Sequence, residues 1–599
     1  QPSSFLRSRC PLCFGGSYTK GEDVQAIICC DANFQLKRIK DKDRRRGMEE
    51  KVRGKDPAFT SPRTVFLSED FVQFWKEHVE TIRPTKKSSR KRRNREGEEV
   101  DIERAPAGAD DRREFGLPVP NSTYDACSES FIAADGERIK ASTDYFADTG
   151  VMAILCRHDI PLFLVNVQTA GEKQHYLFAL VAKFFEHVPG SWRVGILYDI
   201  GCQGDRTLKK YNIAPEWRSR ITWGVSIFHA YGHQYACQLW YHPRKSELWG
   251  LTDGEGCERV WSQLRQLIPG LRVTGHYRRL FLIDVQVEHI ESMKSPDSGK
   301  WLRGHLKRAR GRLNAATGHS GKNNDDPVPD LLAQFEDQRR YYSKPLERQS
   351  KTAAQKLVDR ITSLRTELKT QETLYEELVR TRPVDDPVRQ FESQEFMEKV
   401  AEEIVRLKES LATNMRMLGA QGDAAFEELE RLKKDEWTNE LINFRILREQ
   451  LVWKLRSRRF ELNILDRSKA RTIDQNVKAH VEKAVKGRSS AIDITLRKYN
   501  EKLELLRRLR TTSPAHQNKY LPPSLSRDTI LKLDVDQDLW QEFFDQEPGE
   551  GELPKWVMDS SVRESIRYMQ EANNCRSEIR RLTAEHANLR HWLAHEHAA

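Results

Sequence analysis

The 599-residue chain contains no apolar run approaching the roughly 18 to 20 residues that a bilayer-spanning helix needs, which sets aside a membrane-spanning helical protein. The first residues do not read as a signal peptide, and no period of roughly 20 to 50 residues repeats along the chain, which argues against a solenoid. Cysteine is sparse, ten residues in all, yet several sit near one another or near histidines in C-x-x-C and C-x-H spacings. That pattern points to reduced thiols or zinc ligands rather than disulfides, and to the cytosol or nucleus, with the nucleus as the expected compartment.

An acidic surplus is missing as well. Lys and Arg outnumber Asp and Glu by 100 to 89, a net charge of +11, and the excess is spread over the whole chain. A polyanionic partner such as DNA explains this better than a small acidic substrate. The length exceeds what one core supports and suggests roughly three to four folding units.

Residues 1–40 carry "RCPLCFGG" and a first strand, and residues 41–122 then read as a charged insertion broken by Pro and Gly. At its centre "PTKKSSRKRRNREGEE" crowds Lys86, Lys87, Arg90, Lys91, Arg92, Arg93 and Arg95 together. Such a run cannot fold on itself: it is either a solvated linker or a nuclear-import signal and DNA-touching arm.

Residues 123–270 change character. "GVMAILCRH" and "PLFLVNVQ" are β-branched runs joined by a tight turn, a hairpin. "GEKQHYLFALVAKFFEHV" carries apolar residues at helical spacing. "WRVGILYDIGCQ" is a continuous apolar strand of the kind found inside a sheet covered on both faces, "ITWGVSIFHAYGHQYACQ" is another running into a His-rich turn, and "DGEGCERVWSQLRQL" opens a helix. Beyond Gly270 the rhythm is helical, as in Leu357, Ile361, Leu364 and Leu368, giving a helical or coiled-coil region over 271–420 and a C-terminal helical domain over 421–599. These stripes fit helices packed on one another, or a dimerising coiled coil.

Two strands end in an acid, Asp31 after "VQAIICC" and Asp199 after "VGILY", and the last helix brings Glu255 and Glu258. Carboxylates converging from neighbouring strand ends repel one another unless a divalent cation neutralises them, and hard oxygen ligands suit Mg²⁺ or Mn²⁺. Taken singly, each Asp reads more readily as a turn former or helix cap, and only the combination in this strand order favours a ligand. Glu258 lies inside the helix, whereas Glu255 stands at its Gly-flanked entry, and a spacing of three lets either reach the same ion.

"CPLCF", "DANFQLKR", "DTGVMAILCRHD", "GEKQHYLFAL", "YDIGCQ", "FHAYGHQYACQLWYHP" and "GLTDGEGCERVWSQL", in this order, resemble the Kyakuja-Dileera-Zisupton transposases, and the C-terminal "LPKWVMDSSVRESIRYMQEANNCRSEIRRLTAEHANLRHWL" is similar to that family too. The resemblance implies a DNA transposase: an RNase H-like core of mixed five-stranded sheet and helices, interrupted after its first strand by the basic insertion and followed by a long helical region. It also implies an Asp-Asp-Glu triad of Asp31, Asp199 and Glu258 or Glu255, holding Mg²⁺ or Mn²⁺ for cleavage and joining of DNA at transposon ends and target. Ala32 stands where the family pattern commonly has Gly after the first acid. Asp148 in "FADTGV" is a rival first acid, ranked lower because it precedes the second core strand.

Cys10 and Cys13 form a zinc half-site, which Cys156, His158, Cys202, His229, His233 and Cys237 could complete as one or two tetrahedral structural zinc sites. His229 or His233 could instead orient the metal carboxylates or bond the scissile phosphate. Cys29 and Cys30 face opposite sides of a strand and read as packing residues. The expected partners are DNA and further copies of the chain, with no membrane. The alternatives kept open are a domesticated, catalytically inactive DNA-binding or chromatin protein and a metal-dependent nuclease without joining activity.

Overall fold

The computed structural model describes residues 1–16, 24–40, 64–83, 113–136, 145–320, 330–343, 353–380, 387–419, 436–469, 475–512, 516–517, 521–527, 530 and 554–595. The chain forms two compact units: Gln1–Glu103, Asp110–Pro345 and Pro554–Ala599 make the first, Arg104–Ala109 and Leu346–Leu553 the second.

The first unit is built on β1 (Ala26–Asn33), β4 (Gly150–Cys156), β5 (Pro161–Val167), β6 (Val194–Tyr198) and β7 (Ile221–Gly224), while β2 (Arg38–Ile39) and β3 (Phe146–Asp148) pair separately. The five-stranded order is β5-β4-β1-β6-β7, so β1 lies in the middle. It runs antiparallel to β4 and parallel to β6, which is in turn parallel to β7. Residues 24–30 of β1 and its lead-in are all buried, as a strand covered on both faces must be. The register Cys30↔Tyr198 leaves Asp31 and Asp199 side by side one step further on.

Helices then cover the sheet: α1 (Ser4–Arg9), α2 (Pro11–Phe14), α3 (Glu69–Ile82), α4 (Asn121–Gly136), α5 (Gln174–Glu186), α6 (Gly201–Tyr211), α7 (Ile227–Ala230), α8 (Tyr235–Tyr241), α9 (Gly256–Leu264), α10 (Ile268–Val273), α11 (His276–Lys294), α12 (Ser298–Ser320) and α13 (Leu331–Tyr342). Cys29, Ala153, Leu155 and Leu197 share a buried cluster with Trp249, Trp261, Leu264 and Ile283, which seats α9 and α11 on one face. Trp249 lies across β6 and β7, and only glycine fits beneath it: a Cβ on Gly195 or Gly224 would come within 2.7 or 2.8 Å of the indole. The β4–β5 hairpin turns through Asp159 at φ 61°, a left-handed conformation that Asp tolerates.

Within the charged insertion, residues 69–82 fold as α3. Ser68 accepts the Phe71 N–H at the start of α3, Glu69 and Asp70 favour its N-terminus, and Trp75 stacks on Trp217 at 5.3 Å. These apolar anchors supply the burial that a charge count over the whole segment conceals. The run from Lys86 to Arg95 lies outside the described residues.

In the second unit α14 (Ala353–Arg380) packs on α15 (Pro387–Gly419), and α16 (Glu436–Lys469) on α17 (Gln475–Thr512). Val358, Ile361 and Leu364 of α14 are buried, as are Ile492, Leu496, Tyr499, Leu503 and Leu506 of α17. The stripes read from the sequence therefore serve helix-on-helix packing.

After the second unit the chain returns to the first through α18 (Lys555–Met558) and α19 (Ser560–His595). The buried face of α19 is mostly polar: Asn574, Ser577, Glu578, Arg581, Glu585 and Asn588 recur three or four residues apart. Most of them find partners there. Arg581 donates to the Val24 carbonyl, Asn588 to that of Leu12 and Asn574 to that of Arg244, and the Glu578 carboxylate accepts from Arg157 at 2.5 Å and from the Leu251 N–H. No helix among the described residues is long and apolar enough to cross a membrane.

Candidate functional site

Asp31 ends the buried part of β1 and is held there by the Trp261 indole, whose Nε1–H donates to Oδ2 at 2.7 Å. Burial pushes its carboxyl well above the usual range, and the charges of Asp199, Glu258 and Glu172 push it further, against the pull of the Trp261 hydrogen bond. The charges of Asp199 and Glu258 thus both act on Asp31.

Asp199 Oδ1 lies 3.0 Å from Nδ1 of His229 on α7, and the Asp199 backbone carbonyl accepts from Nε2–H of His233 at 2.9 Å. Burial alone would depress His229, but the Asp199 carboxylate outweighs it and raises the imidazole's pKa. Glu255 caps α9 and takes the Phe228 N–H on Oε1 at 2.9 Å, and burial next to Asp199 lifts it to about 7 although His229 opposes the shift. Glu258 stands in the first turn of α9. That helix is anchored by Arg259, which grips Asp159 of the hairpin through two N–H groups at 2.8 Å each.

Glu172 joins this group without having been singled out. It precedes α5 in a loop turned by Gly171 at φ 90°, and the Tyr198 hydroxyl donates to its Oε1 at 2.5 Å. It ends no strand and opens no helix, so periodicity carries no signal for it. Asp148 stands apart: it is fully buried on β3 and paired with Arg38 Nε at 2.6 Å, a neutralised structural carboxylate.

The cysteines and histidines sort into two sets, each with its four ligand atoms within 4.8 Å of one another and all four residues buried. The first is Cys10, Cys13, Cys156 and His158, with the sulfurs 3.5, 3.1 and 4.0 Å from His158 Nδ1. The second is Cys127, Cys202, His233 and Cys237, with Cys202 and Cys237 each 3.5 Å from His233 Nδ1. A tetrahedral zinc with ordinary Zn–S and Zn–N bonds has an S···N edge of about 3.5 Å, so both sets fit a structural metal such as zinc. His158 turns its Nε2 to Glu585 Oε2 at 3.3 Å, the outer partner that fixes a ligating histidine.

His229, expected among the zinc candidates, belongs to neither set, because its Nδ1 is turned to Asp199. Cys127 takes the remaining place. It stands alone in "TYDACSES", far in sequence from its partners, and no spacing rule marks it. Cys29 and Cys30 are buried in the sheet, and all ten cysteines are free.

A mixed sheet with carboxylates at its central strand ends, backed by two Cys₃His sets, defines an α/β core built around charge-dense and metal-binding chemistry. Residues 24–291 match the family model described as Kyakuja-Dileera-Zisupton transposase, and this stretch is a domain of that family. The family implies a transposase-derived protein that binds DNA. No curated protein matches the chain, and no solved structure does.

Proposed function

We propose that the chain is a DNA transposase whose Asp31, Asp199 and Glu258 hold Mg²⁺ or Mn²⁺ for strand cleavage and joining on an RNase H-like core. The observation that carries this is the adjacency of Asp31 and Asp199 at the ends of parallel neighbours β1 and β6, with Glu258 close enough to raise the Asp31 carboxyl. A buried carboxylate crowded by like charges fits a divalent cation, which would lower the cost of ionising all three. The order β5-β4-β1-β6-β7, with β1, β6 and β7 parallel, supports the RNase H-like assignment.

Divalent ions held by these acids would activate the attacking oxygen and stabilise the leaving one in phosphodiester displacement. The protein's own part is positional: Trp261 orients Asp31, His229 and His233 hold Asp199, and Arg259 seats the helix bearing Glu258. Glu255 stays next to His229 as a further acid within the same field.

DNA binding is assigned to a face of α12. Lys300, Arg303, Lys307 and Arg310 fall within one quarter of the helix circumference and are exposed, opposite the buried Leu302, Ala309 and Ala316. The basic run from Lys86 to Arg95 would add to this grip and serve nuclear import, and a second copy of the chain would hold the other transposon end.

Asp31→Ala and Asp199→Ala should each abolish Mn²⁺-dependent cleavage of DNA bearing transposon ends and leave DNA binding intact. Unchanged cleavage in both variants sinks the assignment. Cleavage without strand transfer would mark a nuclease, and DNA binding without cleavage in the unaltered chain a domesticated relative.

A further inference from the structure

We infer that Cys127, Cys202, His233 and Cys237 form a closed zinc site whose histidine fixes the position of Asp199, so that the metal orders the acidic site without touching DNA.

The four donors come from three pieces of chain: Cys127 on α4, Cys202 at the start of α6, and His233 with Cys237 just before and on α8. Such convergence of three sulfurs and a nitrogen, all buried, leaves no open coordination position and marks a structural rather than a catalytic metal. The 3.5 Å separations of Cys202 and Cys237 from His233 Nδ1 are those of a tetrahedral zinc. His233 is also held by its own backbone, whose carbonyl accepts from Gln238 Nε2 at 2.9 Å.

The link to the acids runs through the other ring nitrogen. With Nδ1 on the metal, Nε2 must carry the proton, and it donates to the Asp199 carbonyl at 2.9 Å. Asp199 lies beyond the last ladder pairs, Cys30↔Tyr198 and Leu197↔Gly224, so the sheet does not hold that carbonyl. Cys202 grips the chain three residues further on, and His229, four residues before His233, reaches the Asp199 carboxylate. One zinc therefore ties down both ends of the segment that aims Asp199. The zinc assignment stands alone, whereas the positioning role rests on Asp199 being a ligand of the proposed divalent ions.

Elemental analysis of the full chain should find two zinc ions per chain, counting the Cys10 set, and Cys127→Ser should lose one of them. A Cys127→Ser variant that keeps as many zinc ions as the unaltered chain overturns the site. Cobalt exchanged into the chain should give thiolate charge-transfer bands that weaken in Cys127→Ser. For positioning, His233→Cys offers a fourth sulfur to the metal but has no second nitrogen to donate to Asp199. Its Mn²⁺ midpoint, read by electron paramagnetic resonance of free Mn²⁺ and by cleavage, should rise at least tenfold with DNA affinity unchanged. An unchanged midpoint overturns positioning whatever the zinc content. Zinc counts and Mn²⁺ binding are read without cleavage, so failure of the transposase reading in the Asp31 and Asp199 variants shows separately.

Discussion

The Trp261 indole N–H and the Asp31 carboxylate form a 2.7 Å hydrogen bond that works against every other influence on that acid. Burial and the charges of Asp199, Glu258 and Glu172 favour protonation, whereas the indole favours the ion. Trp261→Phe keeps most of the packing and removes the donor. A hydrogen bond to a charged group contributes about 1.5–3 kcal/mol, so the Mn²⁺ concentration for half-maximal cleavage should rise about tenfold or more. A Mn²⁺ titration of the variant checks this, and an unaltered midpoint would contradict a role for the indole.

Replacing Lys300, Arg303, Lys307 and Arg310 together by alanine should weaken DNA binding. If each covers a phosphate, the slope of log affinity against log salt should become shallower by about 3 to 4. Because all four are exposed, the melting temperature should change little. Binding measured across a salt series tests the assignment, and an unchanged slope would move the interface elsewhere.

The Arg157–Glu578 pair joins the β4–β5 hairpin to α19, with side chains only 3% and 1% exposed. Breaking a buried pair leaves its partner charge uncompensated. Glu578→Ala should therefore destabilise the first unit by about 3–5 kcal/mol in denaturant unfolding. A loss below 1 kcal/mol would show that Glu585, 3.5 Å from Arg157 Nε, suffices alone.

His175 on α5 is depressed to about 4 by burial and by Lys76 and Lys173. A histidine of lowered folded pKa binds its proton more weakly in the native state than in the unfolded one. Stability is therefore fully present above an unfolded pKa of about 6.5 and falls as pH drops toward 4. Thermal melts between pH 7 and 4 should show a decline that His175→Asn flattens.

The succession of strands and helices along the first unit, the hairpin, the helix at 174–186 and the place of Asp31 and Asp199 at strand ends were legible in sequence, because β runs and helical spacing are local signals. Four features were not. Cys127 and Glu172 reach their sites from lone positions, one on α4 and one in a loop, where only the folded chain supplies the neighbours. The C-terminal row Cys575, Ile579, Leu582, His586, Leu589 and Leu593 also reads as a helical stripe, and of it Cys575 and Leu582 are buried while Leu593 is 48% exposed; the polar row Glu578, Arg581, Glu585 and Asn588 that is buried beside them carried no such signal. A polar stripe that pairs with buried partners looks like a solvated one until the partners are known. The same blindness hid α3, whose Trp75 and Val79 are outnumbered by charges around them.

The return of α19 to the sheet also governs the order of events during synthesis. The hairpin's Arg157, the Val24 and Leu12 carbonyls and His158 are translated early, but their partners Glu578, Arg581, Asn588 and Glu585 emerge only after the roughly 200 residues of the second unit. At ~5–20 residues per second that interval is about 10–40 s. Through that time the nascent first unit carries buried-type charges without their counterparts, and the second unit has time to fold before the first is sealed. A ribosome that stops short of α19 releases a chain whose sheet is unclosed, so only complete translation yields the assembled acidic site.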